Sequence, residues 1–268
     1  MNSTKKRLIE TGKNNEITLL NYLAKFKYTT PVYVEKLLNI SKRGNFGFLE
    51  RMEKKELIIS HKFDNGLCKK RIIGITWNGL VQISGYLESK ATNEKEILHA
   101  EKIKSHAKQF SIAHFKETQF RHHMATQSIF LHIKKSKEDA QTLLGKDVNE
   151  VINIYTTSEI KQNQKLKTKV KRKKLAKKYP DMLAEITLKN GTTEKIALEI
   201  ELTSKSLNRY KEIIKSHQES FGYNVYDRVK YFIPEKLRSI KKNIMNYAKE
   251  FSHDSKFSFV HIRNHYFE

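Results

Sequence analysis

A single cysteine, Cys68, leaves no pair for a disulfide framework and no cysteine cluster for zinc, which fits a reducing cytoplasm. No apolar run approaches the roughly 20 residues that a membrane-spanning helix needs. The lysine-rich start has no apolar stretch behind it, so we expect neither an export signal nor a membrane anchor. Proline occurs three times and each copy reads as punctuation: Pro31 at a helix start, Pro180 before an acidic residue, Pro234 at the end of an apolar run. Acidic residues are scarce too, with 29 Asp and Glu against 52 Lys and Arg.

The resulting net charge of +23 favours binding to a polyanion, because each phosphate neutralised releases a condensed counterion. Nucleic acid is the expected partner; a merely solvated basic surface is the plainer alternative, and it would carry the self-repulsion of +23 uncompensated. With 268 residues, 38% hydrophobic content, 14 Phe and 12 Tyr, the chain can build packed cores, as one large domain or two modest ones.

From Glu16 to Tyr28, Ile17, Leu19, Leu20, Leu23 and Phe26 recur at helical spacing. Thr30-Pro31 opens a second helix with Val32, Val34, Leu37 and Leu38 as its apolar side. Asn39-Ile40-Ser41 turns the chain into a third, Lys42 to Leu57, with Phe46, Phe48, Leu49 and Met52. Two β-rich runs follow, Leu57 to Phe63 and Leu67 to Ile75, joined at Asp64-Asn65-Gly66. Three short helices and a two-stranded ribbon make the pattern of a winged helix-turn-helix. In that pattern Lys42, Arg43 and Asn45 stand where a recognition helix meets DNA, and Lys69, Lys70 and Arg71 lie on the wing. The same fold also serves protein–protein contacts. A threonine-opened helix from Thr76 closes the domain, with Trp77 expected in the core. Polar residues from Glu88 to Lys95 set the domain boundary, giving residues 1–88 and 89–268.

Helices are expected over Lys95 to Phe110 and Lys116 to Lys135, the second bearing His122, His123 and His132. Adjacent histidines cannot face one ion from a regular helix, so we read them as contacts to phosphate or to an active-site cleft. Val148 to Thr156 reads as a strand, with Glu159 just beyond as an auxiliary acid or a helix cap. Ten of the residues from Lys161 to Lys178 are Lys or Arg, including Lys171, Arg172, Lys173 and Lys174. This basic arm is expected to order on DNA; a solvated tail or a localisation signal has the same composition.

Tyr179 to Ser206 is the stretch around which the second half is organised. Met182 to Ile186 is apolar, Asn190-Gly191 is a strong hairpin signal, and Leu198, Ile200 and Leu202 alternate with Glu199 and Glu201. A tight hairpin brings Asp181 beside Glu199, so three carboxylates converge. Crowded carboxylates repel unless a hard cation such as Mg²⁺ or Mn²⁺ sits among them. An edge hairpin with a solvated polar face is the bland alternative. Ser206 to Phe221 then reads as an amphipathic helix with Leu207, Tyr210, Ile213 and Ile214 inward; Val225 to Ile233 as a strand, Glu235 to Phe251 as a helix and Phe257 to Ile262 as a last strand.

The order Pro-Asp, Glu-x-Glu and a nearby lysine resembles the PD-(D/E)xK nuclease superfamily, with Glu201 where a lysine is usual and Lys205 four positions on. Together with the front winged helix, Ser158-Glu159, and Ala-Leu-Glu-Ile-Glu-Leu-Thr-x-Lys-Ser before an Arg-Tyr helix, the chain is similar to plasmid replication-relaxation proteins and MobC-type mobilisation relaxases from Glu16 to Pro234. That resemblance implies an α+β/α/β chain: a winged helix followed by a restriction-endonuclease-like mixed sheet flanked by helices. It implies cytoplasmic, metal-dependent nicking of DNA at the origin of a plasmid or other mobile element, with relaxosome or replication proteins as further partners. Asp181, Glu199 and Glu201 would be metal ligands for Mg or Mn, Lys205 would activate water or meet transition-state charge, and Glu159 would be an auxiliary ligand. The alternative is a non-catalytic origin-binding initiator, accessory factor or repressor. A basic RNA-binding protein is a third class.

Overall fold

The computed structural model describes residues 3–64, 69–106, 110–111, 117–162, 179–250 and 254–262. The chain divides into two compact units, 1–116 and 117–268. The boundary thus lies beyond the polar stretch at Glu88 that the sequence pointed to.

In the first unit, α1 (Ser3–Phe26), α2 (Pro31–Leu38) and α3 (Lys42–Lys54) precede an antiparallel three-stranded sheet of β1 (Tyr28–Thr29), β2 (Ile58–Asp64) and β3 (Lys69–Ile75). Its order is β1-β3-β2. The helices α4 (Trp77–Lys90) and α5 (Glu94–His106) complete it. Pro31 sits at the first turn of α2, where its missing N–H is no loss, and Asn39 adopts the left-handed conformation that ends that helix. Ser41 caps α3 by accepting the Gly44 N–H at 3.2 Å, and Thr76 caps α4 through Gly79. The helical stripes then meet in one core of Leu19, Leu20, Leu23, Val34, Phe48, Leu49, Met52, Ile73, Ile75, Leu80 and Ile83. Each such side chain stabilises the fold by about 1.5–3 kcal/mol on burial.

The helix α5 belongs to this unit for a physical reason. Ser84 donates to the Ala100 carbonyl at 2.9 Å, Ile103 packs on the core, and the Phe110 N–H reaches the Ile75 carbonyl at 2.9 Å. Trp77, expected inside, is 50% exposed, because it sits in the first turn of α4 ahead of the inward face of Gly79, Leu80, Ile83 and Ser84.

In the second unit α6 (Glu117–Lys135) and α7 (Lys137–Leu144) precede β4 (Val148–Thr156), α8 (Thr157–Gln162), β5 (Met182–Leu188), β6 (Thr193–Ile200), α9 (Leu207–Gly222), β7 (Arg228–Pro234), α10 (Arg238–Glu250) and β8 (Phe257–Ile262). The sheet is mixed, in the order β4-β5-β6-β7-β8. The first three strands form an antiparallel meander, and β7 and β8 add parallel to β6 through the crossover helices α9 and α10. The hairpin turns at Lys189 to Thr192, with Gly191 at φ +82°, a conformation that glycine adopts without a Cβ penalty. Leu183, Ala197, Val229, Tyr231 and Ile233 pack on one side beneath Tyr210, Ile214 and Phe221 of α9 and Ile240 and Ile244 of α10. The helices α6 and α7 lie against β4, and α6 also touches β6.

A Cβ at Gly74 of β3 would overlap the ring of Phe110. Replacing Gly74 by Ala is expected to cost about 1–3 kcal/mol in urea unfolding. Trimming the obstacle in a Gly74→Ala/Phe110→Ala chain should make that added methyl nearly neutral relative to Phe110→Ala alone; strictly additive losses would show the overlap to be of no consequence.

Candidate functional site

The strand β6 is central, so the Glu-x-Glu pair is not on a solvated edge. Its last five residues, Ile196 to Ile200, are buried on both faces, Glu199 is 2% exposed and Glu201 4%. Ionised groups so placed need partners. The ladder between β5 and β6 ends at Met182 opposite Leu198, and one step further brings Asp181 opposite Glu199, on the same face.

Each carboxylate is held differently. Asp181 Oδ2 accepts the Ile200 N–H at 2.8 Å and lies 3.2 Å from His122 Nε2, which is also 3.1 Å from the Ile200 carbonyl oxygen. On its other side the Thr157 N–H and hydroxyl both reach the Asp181 carbonyl, fixing the backbone. Glu199 Oε1 faces His217 Nε2 at 3.6 Å. The His217 ring is buried between Tyr226, 2.7 Å from Nδ1, and Tyr231, 3.1 Å from Nε2. Glu201 pairs with Lys205, whose N–H donates to the Tyr210 hydroxyl at 3.1 Å. The tyrosine of the Arg-Tyr pair thereby pins the loop that carries the lysine.

All three acids act on one hydroxyl. Burial first, then the charges of Glu199, Glu201 and Asp181, hold Tyr231 well above the ordinary tyrosine range. Burial opposes protonation of His122, but the Asp181 carboxylate, the Ile200 carbonyl and the Glu199 charge outweigh it and raise its pKa. Asp181, Glu199, Glu201 and Lys205 therefore occupy one end of the central strands, with His122 completing the group. Among the described residues, however, no three His, Cys, Asp or Glu side chains are gathered as ligands around one point. The donor set is all oxygen and suits Mg²⁺ or Mn²⁺, but Glu201 is turned to Lys205 and Glu199 to His217.

Of the two roles open to Glu159, auxiliary acid or helix cap, the structure shows the cap. Its Oε2 accepts the Thr156 N–H at 2.7 Å and the Thr156 hydroxyl at 2.9 Å, while the Glu159 N–H points back to that hydroxyl at 3.4 Å. This is a capping box at the start of α8, and it engages the carboxylate. His122 and His217 are the further site residues. Of the histidines on α6, His122 reaches Asp181 and the Ile200 carbonyl; His217 was not singled out by the sequence, although it continues the stripe of Tyr210, Ile213, Ile214 and Phe221. Leu207, expected on that stripe, is exposed.

In the first unit Lys42 and Arg43 are exposed at the start of α3. Asn45, expected to meet DNA, is buried, and its amide donates to the Pro31 carbonyl at 2.9 Å and to Glu35 at 3.1 Å, joining α2 to α3. Arg71 is committed as well, to Glu53 at 2.8 Å. Lys69 and Lys70 lie on β3, and their side chains fall outside the described residues, as do Lys171, Arg172, Lys173 and Lys174 entirely.

Compared with known proteins, the chain matches no family model, no curated protein and no solved structure. No helix among the described residues is long and apolar enough to cross a membrane.

The raised His122 pKa fixes the sign of a pH effect. The His122 contribution is complete below the unfolded value, about 6.5, and is lost as pH rises through the higher folded value. His122→Gln should therefore lower urea stability more at pH 5.5 than at pH 8.5. Equal losses at both would place the His122–Asp181 contact outside the charge balance.

Proposed function

We propose that the chain is a cytoplasmic DNA-binding protein of a plasmid or other mobile element that nicks DNA at the element's origin in a metal-dependent reaction. The first unit is read as a winged helix-turn-helix, α3 being the groove-entering helix and β2–β3 the wing. The second is read as a restriction-endonuclease-like core, because a three-strand meander, a crossover helix and a parallel fourth strand follow one another in the order that such a core needs. The observation that carries the reading is Asp181 standing one register step past the Met182–Leu198 pair, opposite Glu199, with Glu201 and Lys205 next along the chain.

Mg²⁺ or Mn²⁺, held by Asp181 and Glu199 with Glu201 as the third oxygen donor, would supply Lewis-acid polarisation of the scissile phosphate. The chain's own groups do the rest. The Ile200 N–H and His122 orient Asp181. Lys205 meets negative charge on the phosphate once Glu201 is engaged elsewhere. The net charge of +23 brings DNA to the protein and makes binding fall steeply with salt.

The second reading, a non-catalytic origin-binding initiator, accessory factor or repressor, is favoured by the engagement of Glu199 with His217 and of Glu201 with Lys205. One experiment separates the two. Supercoiled plasmid carrying the DNA that flanks this gene is incubated with the protein and Mg²⁺ or Mn²⁺, and open-circular product is measured. Nicking is expected, and Asp181→Ala or Glu199→Gln should reduce it by about a hundredfold or more while duplex binding persists. Specific footprints with intact plasmid under both metals would select the non-catalytic reading.

A further inference from the structure

The exposed face of α3 holds the most exposed large apolar side chain among the described residues, Phe46, at 65%. Its helix neighbours at three and four positions, Lys42 and Arg43 before it and Glu50 after it, are exposed too, whereas Asn45, Phe48, Leu49 and Met52 turn inward. The acids of the C-terminal half are answered locally: Glu50 pairs with Lys54 at 3.0 Å and Glu53 with Arg71 at 2.8 Å. No ion pair among the described residues takes up Lys42 or Arg43. The outward face thus runs from a bare cationic end to an apolar centre to a neutralised acidic end.

Gly47 borders this face, whereas Gly44, two positions before Phe46 and so turned away from it, lies against the Ser41 cap, whose hydroxyl would be 3.3 Å from a Cβ there. Neither needs to be glycine for a positive φ, and a Cβ at Gly47 would meet only the tip of Arg51 at 3.7 Å. Glycine inside a helix costs about 1 kcal/mol relative to alanine. The missing side chain at Gly47 therefore adds no stability to the unit, and it leaves the backbone next to Phe46 open to a close approach. Charge complementarity selects that surface: two unanswered cations ahead of an aromatic ring fit a polyanion that also presents apolar groups. Duplex DNA is such a partner, because thymine places a C5-methyl in the major groove and Phe is among the side chains that contact it.

We propose that Phe46 is a specificity-determining residue that reads thymine C5-methyl groups in the major groove, with Lys42 and Arg43 holding the flanking phosphates. This rests on the reading of the chain as a DNA-binding protein whose α3 enters the groove.

The test begins with selection of duplexes from a random-sequence pool by the full-length wild-type protein. Bound sequences should be enriched in thymine at one or two fixed positions. Deoxyuridine at those positions removes only the methyl, and should weaken wild-type binding by about fourfold for each methyl lost. Phe46→Ala should bind the thymine duplex as weakly as wild type binds the deoxyuridine duplex, and should no longer distinguish the two. Phe46→Leu, still apolar, should recover part of the discrimination. Because Phe46 is exposed, both variants are expected to keep the wild-type circular dichroism and thermal midpoint. A selected duplex bound equally well with thymine or deoxyuridine, or a Phe46→Ala protein that still distinguishes them, overturns the inference and leaves DNA binding standing. Failure of the wild type to enrich any duplex overturns both, and points to a second protein as the occupant of this face.

Discussion

The second unit depends on how one end of a central strand is closed. At Ile200 the ladder between β5 and β6 has run out, and a buried N–H and C=O would otherwise go unanswered at a cost of about 1–3 kcal/mol each. The Asp181 carboxylate takes the N–H at 2.8 Å and His122 lies 3.1 Å from the carbonyl oxygen. The same two side chains contact each other at 3.2 Å. One aspartate thereby joins the start of β5, the end of β6 and the helix α6, and it does so at the point where the acidic residues are concentrated. Position and chemistry are coupled: the group that finishes the strand is also the one that stands opposite Glu199.

Burial sets the character of the remaining acids. Glu199 lies on a strand flanked on both sides and Glu201 just past its end, both buried, so their charges need counterparts inside the unit: His217 with its two tyrosines for one, Lys205 for the other. The arrangement leaves both charges close enough to Tyr231 to add to the effect of its burial in raising its pKa. Each of these acids is engaged by a partner that the fold itself supplies.

Most strands and helices were legible because period-two and period-3.6 patterns are strong where one face is buried. The hairpin at Asn190-Gly191, the caps at Ser41, Thr76 and Ser206, and the parallel crossover helices all carried local signals. What the pattern did not resolve was which member of an adjacent pair faces inward. Phe46 and Phe48 cannot both lie beneath α3; the stripe of positions 45, 48, 49 and 52 places Asn45 inside and Phe46 outside, a consequence of helix geometry that composition hides. Trp77 and Leu207 fail in the same way, each in a first turn that projects beyond the core. Alternation placed Glu199 and Glu201 on one side of the strand, but it records side and says nothing of what covers that side, so their burial was not legible.

The capping box at Glu159 and the Thr157 contacts to Pro180 and Asp181 tie the start of α8 to the entrance of β5. Lys161 sits 5.5 Å over the ring of Tyr179, so the residues bracketing the basic segment 163–178 meet at one place. The end of β4 and the start of β5 are thereby held to each other through Thr157, Lys161, Tyr179, Pro180 and Asp181. Those bonds act directly between the two strand ends, so their mutual placement at the acidic end of the sheet does not rest on the chain that joins them.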